Sequence, residues 1–315
     1  MMNTLSGKSL RKNCGVTLVE LMISITMGLV IMSGVIQLYV SGKSNSRVAQ
    51  SSIRIQDNMR YALHVLGNDI AQAGNIKCTT TDIVNILPNV LNVGDWNDFV
   101  NTYVSGREAV AVFDPAQPVT SSDTLIVKRV DHSRPQDIVD VNADSFQVNN
   151  ANNLQNGEIA VAGDCGQMVV LELNVTNVDI ASPHEGRVDL PNATNLLDEN
   201  ASPILYTGAT GAYTYSINNS TGGACTGASI HQCSLYREKN NSGAQELVQG
   251  VHGLDVQYGV ELAPDNVTYY DAYDGDGNYQ RINRVKVTLW FNSAEEDGNV
   301  VSKNVTRVFA IRSSW

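Results

Sequence analysis

The residue whose type and position most suggest chemistry is Glu20, a carboxylate that directly precedes 22 consecutive residues without a charge. An ionised side chain inside a membrane costs about 2.5–3.5 kcal/mol on insertion scales, so this carboxylate is expected to bind a positively charged partner. A local role is also open, because Thr17 and Glu20 have the spacing of a capping box and a carboxylate in a first helical turn suits the helix dipole. The sequence therefore predicts ion pairing, helix capping, or both, at Glu20.

Side chains that commonly catalyse reactions do not form a recognisable motif in this sequence. We find no nucleophile elbow, zinc-protease helix or phosphate-binding loop. The histidines are scattered and lack the spacing of metal ligands; they are His64, His132, His184, His231 and His252. We therefore predict that the protein is not an enzyme.

One acidic segment resembles part of a calcium-binding loop. Its oxygen-bearing side chains alternate with glycine, as in the first half of an EF-hand loop; they belong to Asp271, Asp274, Asp276 and Asn278. The bidentate acid that should close such a loop is replaced by Val285. An acidic turn between strands is the favoured interpretation, so no cofactor is predicted and calcium is the alternative.

The uncharged segment after Glu20, residues 21–42, is long enough to cross a membrane, which takes about 20 mostly apolar residues. Basic residues flank both of its ends, so charge sets its orientation only weakly. A secretory signal peptide is disfavoured, because its apolar region should span about 7–15 residues and end at a cleavage site of small residues. A plain signal anchor is an alternative, but it gives Glu20 no role.

The residues around this segment resemble the processing motif of a known family. From Gly15 to Met22 they read GVTLVELM, which is similar to the motif of type IV prepilins and of type II secretion pseudopilins. The resemblance implies that a prepilin peptidase cleaves between Gly15 and Val16 and then N-methylates Val16. Glu20 would pair with the new amine of its own or a neighbouring subunit. Val16 departs from the usual Phe or Met, but it is apolar, and we expect processing to occur.

A single long helix is predicted to contain the apolar segment and to continue beyond it. The first proline is Pro88, and after the span apolar residues recur at steps of three, four and seven; they are Val48, Ile55, Met59, Ala62, Leu63, Leu66, Ile70 and Ala73. Gly74 is predicted to end the helix. From Val16 to Ala73 it would have 58 residues and a length of about 87 Å.

The sequence after this helix predicts a β-rich head. Candidate strands are β-branched or aromatic runs bounded by turn residues, at 109–113, 124–130, 159–162, 168–175, 212–217, 234–238, 254–262, 284–291 and 304–311. In one of them Val285, Val287 and Leu289 alternate with mostly polar neighbours, which is typical of a half-buried strand. The predicted fold class is α+β, with the second half of the helix packed on a mainly antiparallel sheet.

Two regions narrow the resemblance to minor pilins of the PilW type. Residues 55–63 and 69–74 are similar to the helix of those proteins, which ends in an Ala-Gly step shortly before a cysteine, and Cys78 lies at that place. Residues 235–238, 247–251, 254–258 and 284–291 look like a sheet that PilW shares with the J-type pseudopilin. The implied division is a leader at 1–15, a membrane or filament-core half at 16–42, an amphipathic half at 43–74 and a periplasmic head at 75–315.

The resemblance also bears on the cysteines. The chain has five, and loss of the leader would remove Cys14 and leave four in the periplasm, where disulfides are permitted. Of the possible connectivities we favour Cys225–Cys233, which closes a short Gly-rich loop, with Cys78–Cys165, which ties the helix exit to the sheet. Free buried thiols are the alternative, and the spacing disfavours a zinc site.

The resemblance implies an assembly function. A PilW-type minor pilin would lie in the inner membrane, join other minor pilins and the major pilin, and prime or cap the type IV pilus, with indirect effects on adhesion and twitching motility. Its other partners would be the prepilin peptidase, the inner-membrane assembly platform and membrane lipid. Nucleic acid is not an expected partner, because 21 Lys plus Arg face 32 Asp plus Glu. The alternatives are a J-type pseudopilin of type II secretion and a pilus-tip adhesin with a ligand surface within 84–220.

Overall fold

The computed structural model describes residues 17–75, 83–86, 103–107, 114, 116–150, 154–164, 166–176, 186–208, 210–240, 242–263, 266–271, 282–294 and 300–311. The chain divides into two units, Met1–Gln50 and Ser51–Trp315. Several predicted features lie outside the described residues: the leader at 1–15, Val16, Cys78, Cys165, the strand at 109–113, and Asp274, Asp276 and Asn278 of the acidic segment.

Helix α1 (Leu18–Ala71) is continuous over 54 residues and belongs to both units. The predicted helix is therefore confirmed, with each end about one half-turn inside the predicted bounds. Gly74 follows the last turn with a φ of 63°, a left-handed conformation in which glycine is unstrained. A Cβ at this position would lie 2.6 Å from the ring of Tyr103. Gly74 is thus the predicted stop signal, and the close packing of Tyr103 adds a second reason for glycine there.

The described residues contain seventeen strands and one further short helix. The strands are β1 (Ile83–Asn85), β2 (Val104–Arg107), β3 (Thr124–Arg129), β4 (Pro135–Asn142), β5 (Ser145–Val148), β6 (Ile159–Gly163), β7 (Met168–Glu172), β8 (Val175–Thr176), β9 (Gly186–Asp189), β10 (Ile204–Tyr206), β11 (Gly211–Asn219), β12 (Cys233–Lys239), β13 (Gln245–Gln249), β14 (Val251–Ala263), β15 (Asn266–Tyr270), β16 (Ile282–Ala294) and β17 (Val300–Ala310). The helix is α2 (Ala193–Leu196), and 3₁₀ turns lie at Glu199–Ala201 and Ile230–Gln232.

Two antiparallel sheets and the second part of α1 share the main hydrophobic core. The first sheet has the strand order β13-β12-β11-β3-β2, and the second has the order β15-β14-β16-β17. From the helix, Ile55, Ala62, Leu66 and Ile70 enter this core and are at most 2% exposed. Their spacing is the apolar stripe predicted from the sequence, so the amphipathic part of the helix packs as expected.

A third sheet is built mostly from a segment inserted between β3 and β11. These two strands are antiparallel neighbours, and Arg129 at the end of β3 pairs with Gly211 at the start of β11. All seven strands that lie between them in the chain join β1 in an eight-stranded sheet with the order β1-β7-β6-β10-β4-β5-β9-β8. We call residues 135–206 the inserted module. It has its own core, which includes Phe146, Leu171 and Leu205, all fully buried.

The predicted strands agree with the observed ones wherever the structure describes them, although β7 ends at Glu172 before the short β8. On β16, Val285, Val287 and Leu289 are fully buried, as the alternation predicted. The apolar stripe was wrong at Val48, which is 40% exposed. Buried residues of α1 begin at Ser51, and Val48 belongs to the part of the helix in which no described residue is buried. The protein is thus an α+β chain of pilin-like organisation.

Candidate functional site

The first part of α1 is an apolar surface that none of the described residues covers. Every residue from 17 to 46 is exposed, including Leu29 at 65% and Leu38 at 77%. Among the described residues, α1 is the one helix that is long and apolar enough to cross a membrane. A continuous apolar surface of this size is not stable in water, so this part of the helix requires lipid or other apolar helices around it.

Three hydroxyl groups within this span are hydrogen-bonded to the helix itself. Ser24 donates to the carbonyl of Glu20 at 2.8 Å, Thr26 to that of Ile23 at 2.9 Å, and Ser33 to that of Val30 at 2.8 Å. A hydroxyl that donates to the preceding turn does not need water. These side chains are therefore compatible with an apolar environment in spite of their polarity.

Glu20 lies in the first turn of α1 with its side chain exposed. Its backbone N–H donates to Thr17 Oγ1 at 3.3 Å, which is the Thr half of the predicted capping box. Within the described part of the chain, the Glu20 carboxylate makes no hydrogen bond or ion pair. Its charge is thus available to a group outside those residues.

A second carboxylate of α1, that of Asp69, is buried and has several partners, in contrast to that of Glu20. It is 1% exposed and accepts bonds from three strands of the head. Arg129 Nη1 of β3 donates to Oδ1 at 2.7 Å, while Tyr215 Oη of β11 and Arg237 Nη2 of β12 approach Oδ2 at 2.5 and 2.7 Å. Gln72, the residue that follows α1, also accepts a hydrogen bond from Arg129 Nη1 at 3.4 Å. We call Asp69, Arg129, Tyr213, Tyr215 and Arg237 the junction network.

The fifth member of the junction network, Tyr213, stacks against both cations. The guanidinium carbons of Arg129 and Arg237 lie 4.8 and 3.9 Å from the centre of its ring. Burial, followed by the charge of Asp69, raises the pKa of Tyr215 well above its ordinary value, so Tyr215 remains a donor to Asp69. Burial alone would lower the pKa of Arg237, but its neighbours Tyr215 and Asp69 raise it. The network therefore fixes the end of α1 to the five-stranded sheet with paired charges.

The sequence-based interpretation did not identify the junction network. Asp69 was noted only as part of a segment that resembles PilW-type helices. The sequence does contain a feature that predicts a buried carboxylate. Asp69 lies three residues after Leu66 and so falls on the apolar stripe, where an acid needs a buried partner. Its partners stand 60, 146 and 168 residues away along the chain and follow no short spacing.

The structure contains a disulfide between Cys225 and Cys233, the shorter of the two bridges favoured from the sequence. The two cysteines are eight residues apart, and the bridge closes the connection between β11 and β12. Asn219, the last residue of β11, accepts a hydrogen bond from the N–H of Cys225 at 2.9 Å. The bridge therefore fixes a loop next to the sheet that carries the junction network.

Nothing in the described residues forms a cluster of His, Cys, Asp or Glu that would hold a metal ion. Asp271, the described member of the acidic segment, accepts a hydrogen bond from the side chain of Gln257. A polar cavity of about 510 Å³ lies in the inserted module, and Asp164 and Asp198 line it. Each of these carboxylates accepts backbone N–H bonds from its own turn, so both already have a structural role.

Comparison with known families adds two matches. Residues 10–36 match the model of the prokaryotic N-terminal methylation motif, and residues 214–311 match the model described as type IV pilus-assembly protein W. These matches support a type IV minor pilin of the PilW type. No curated protein and no solved structure matches the chain.

The two matches cover opposite ends of the chain. The methylation-motif match contains Gly15, Val16 and Glu20, and it continues into the exposed apolar part of α1. The PilW match runs from β11 to the end of β17, so the inserted module lies outside it. A prepilin motif joined to an uncovered apolar helix indicates a membrane-anchored pilin, and the matched family is a structural pilin family rather than an enzyme family.

Proposed function

We propose that the chain is an initiation subunit of the type IV pilus, which acts by subunit docking rather than by catalysis and requires no cofactor. A prepilin peptidase would hydrolyse the bond between Gly15 and Val16 and then methylate the amine of Val16. The processed chain would lie in the inner membrane with its head in the periplasm. There it would join other minor pilins and the major pilin on the assembly platform.

One observation carries this proposal. Residues 17–46 are exposed without exception, and the charge at their amino-terminal end, that of Glu20, has no partner among the described residues. In lipid or in a filament core, the carboxylate gains most from a cation that arrives at the same depth. After cleavage, the amine of Val16 would carry that charge four residues before Glu20 in the sequence, and it could come from the same chain or from a neighbour. Pairing between chains would order the docking of one subunit on the next.

The carboxy-terminal match favours the pilus over the J-type pseudopilus of type II secretion, because its family is described as a pilus-assembly protein. A pilus-tip adhesin is the second candidate. It is favoured by the inserted module, which has its own core, contains the polar cavity and lies outside the matched region. In that case the module would carry a ligand site while the rest of the chain performs the same docking.

The assembly role is tested by Glu20→Ala in a strain that lacks the chromosomal copy. We expect surface pili to be lost, although the variant still inserts in the membrane. The melting temperature of its head should equal that of the native chain. Glu20→Asp, which keeps the charge, is the matched control and should restore most pili. Piliation equal to that of the native chain in the Ala variant would contradict the proposal.

The same strain separates the other candidates. Deletion of the gene should abolish pili and leave type II secretion intact, whereas the reverse result would indicate a pseudopilin. An adhesin would be indicated by normal pili that no longer bind cells when residues 135–206 are replaced by a short turn between β3 and β11.

A further inference from the structure

Strand β17 forms one edge of its sheet over its whole length. Among the described strands it pairs with β16 alone, in an unbroken register from Arg284↔Ala310 to Ala294↔Val300. Long and regular edge strands are uncommon, because their free backbone groups accept strands from other chains. The eleven residues of β17 therefore form an edge to which a strand from another chain could add.

The register identifies which backbone groups face outward. The N–H of Ile311 donates to the carbonyl of the opposite residue, Asn283, at 2.9 Å. In an antiparallel pair such residues alternate with ones whose N–H and C=O point away from the partner. The odd-numbered residues of β17 thus bond to β16, and the backbone groups of the even-numbered ones face outward. From Ser302 onward these are Ser302, Asn304, Thr306, Val308 and Ala310. We call these five residues the outer edge of β17.

The outer edge is open to a partner. All five of its residues are exposed, and Val308 is 48% exposed. Among the described residues, one side-chain hydrogen bond involves this edge, and it joins Thr306 Oγ1 to Thr288 Oγ1 of the neighbouring strand β16 at 3.0 Å. Nothing in the described part of the chain occupies the backbone groups of this edge.

The side chains that alternate with the outer edge define the chemistry of the partner. Val301, Val305 and Phe309 pack partly against the main core, whereas Lys303 and Arg307 between them are exposed. Neither cation has an ion-pair partner among the described residues. A strand added to this edge would place its own side chains beside those of residues 301, 303, 305, 307 and 309. Opposite charges that face each other across two strands stabilise the pairing of those strands.

We propose that the outer edge of β17 accepts an extended strand from a different pilin-like subunit, with two acidic residues four positions apart and an apolar residue midway. The acids would face Lys303 and Arg307, and the apolar residue would face Val305. A second copy of this chain fits poorly, because two β17 strands would bring four cations together and each chain has a net charge of −11. The inference depends on the proposed function only for the source of the strand.

The test uses the full chain in detergent micelles and a labelled hairpin peptide whose outer strand reads Thr-Glu-Thr-Val-Thr-Glu-Thr. We expect saturable binding by fluorescence anisotropy, and no binding of the same hairpin with Lys in place of both Glu. Thr306→Pro removes one outward N–H and the Thr306 hydroxyl but no backbone hydrogen bond to β16, and it should weaken binding at least about tenfold. Thr306→Val loses the same hydroxyl but keeps the N–H, so it should bind like the native chain.

A double charge reversal, Lys303→Glu with Arg307→Glu, keeps the test independent of any folding defect in the proline variant. It should transfer binding from the acidic hairpin to the basic one. The inference is overturned if the acidic hairpin does not saturate the chain at millimolar concentration, if Thr306→Pro and Thr306→Val bind equally, or if both hairpins bind alike. It is also overturned if the chain self-associates in sedimentation and Thr306→Pro disperses it. Glu20→Ala should leave hairpin binding unchanged, so failure of the pilus role and failure of this surface are distinguishable.

Discussion

Two parts of one helix carry carboxylates in opposite settings. Glu20 begins a stretch in which every residue up to 46 is exposed, and its own charge has no partner among the described residues. Asp69 lies in the part that packs on the head, is 1% exposed and accepts bonds from Arg129, Tyr215 and Arg237. The carboxylate of Asp69 therefore has its hydrogen-bond and ion-pair partners within the chain. The proposed docking role assigns the carboxylate of Glu20 a cation from outside the described residues. Under that proposal, the helix serves folding at one end and association at the other.

This contrast is tested most strongly by Asp69→Asn. Loss of one partner from a buried ion pair costs about 3–5 kcal/mol, because the remaining charges, here Arg129 above all, stay buried without compensation. We expect the free energy of unfolding of the head to fall by that amount in urea titrations followed by tryptophan fluorescence. Glu20→Gln is the matched control and should leave it unchanged. A loss below about 1 kcal/mol would mean that the junction network does not stabilise the head.

The two parts of the helix also differ in how they should tolerate substitution of glycine. Gly74→Ala combines a left-handed backbone with a Cβ placed 2.6 Å from the Tyr103 ring, and we expect a loss of about 2–4 kcal/mol in the stability of the head. Gly34 lies in the uncovered part of the helix, and no described atom would come within 4 Å of a Cβ added there. Gly34→Ala should therefore not change the melting temperature of the head. Equal effects of the two substitutions would remove the distinction between the two parts.

The stability of the head should depend on pH because His252, a buried residue of the head, has a shifted pKa. Burial lowers the pKa of His252 from 6.5 to about 4. The unfolded chain therefore binds a proton between these values while the folded chain does not, so stability is full above pH 6.5 and falls by about 3 kcal/mol as the pH approaches 4. His252→Gln, which does not titrate, should flatten this part of the curve in thermal melts at stepped pH.

A further loss at lower pH should persist in the His252→Gln variant. Burial alone would raise the pKa of Glu246, but hydrogen bonds from Ser234 and Thr221 lower it, so its contribution disappears only below about pH 4.5. A native chain whose stability does not change between pH 6.5 and 4 would contradict the assignment to His252.

The smallest expected effect comes from the Cys225–Cys233 bridge. A loop this short contributes about 2–3 kcal/mol in the chain-entropy model, because it restricts the unfolded chain only modestly. We expect the paired substitution of both cysteines by serine to lower the stability of the head by that amount. Membrane insertion of the apolar half should be unaffected. An unchanged unfolding midpoint would show that the bridge does not contribute.

Local features of the chain were predictable from sequence. The apolar span, the Thr17 cap, the end of the helix at Gly74 and the buried alternation on β16 each depend on residues within a few positions of one another. The strands of the inserted module were harder to predict. In β4, the buried Gln136 and Ile138 alternate with the exposed Pro135, Asp137 and Val139. A proline and an acid within its first three residues make this strand hard to recognise from sequence, and it forms because its neighbours in the sheet pair with it.

By itself, the sequence determined that this chain has an apolar helix with a carboxylate at its start and a β-rich head, because periodicity and charge-free length are properties of neighbouring residues. Only the tertiary structure decided which carboxylate is satisfied within the chain, since the partners of Asp69 come from three strands far apart in sequence. It also decided that residues 135–206 form one insertion and that β17 ends its sheet. Strand order is set by long-range pairing, which no local pattern records.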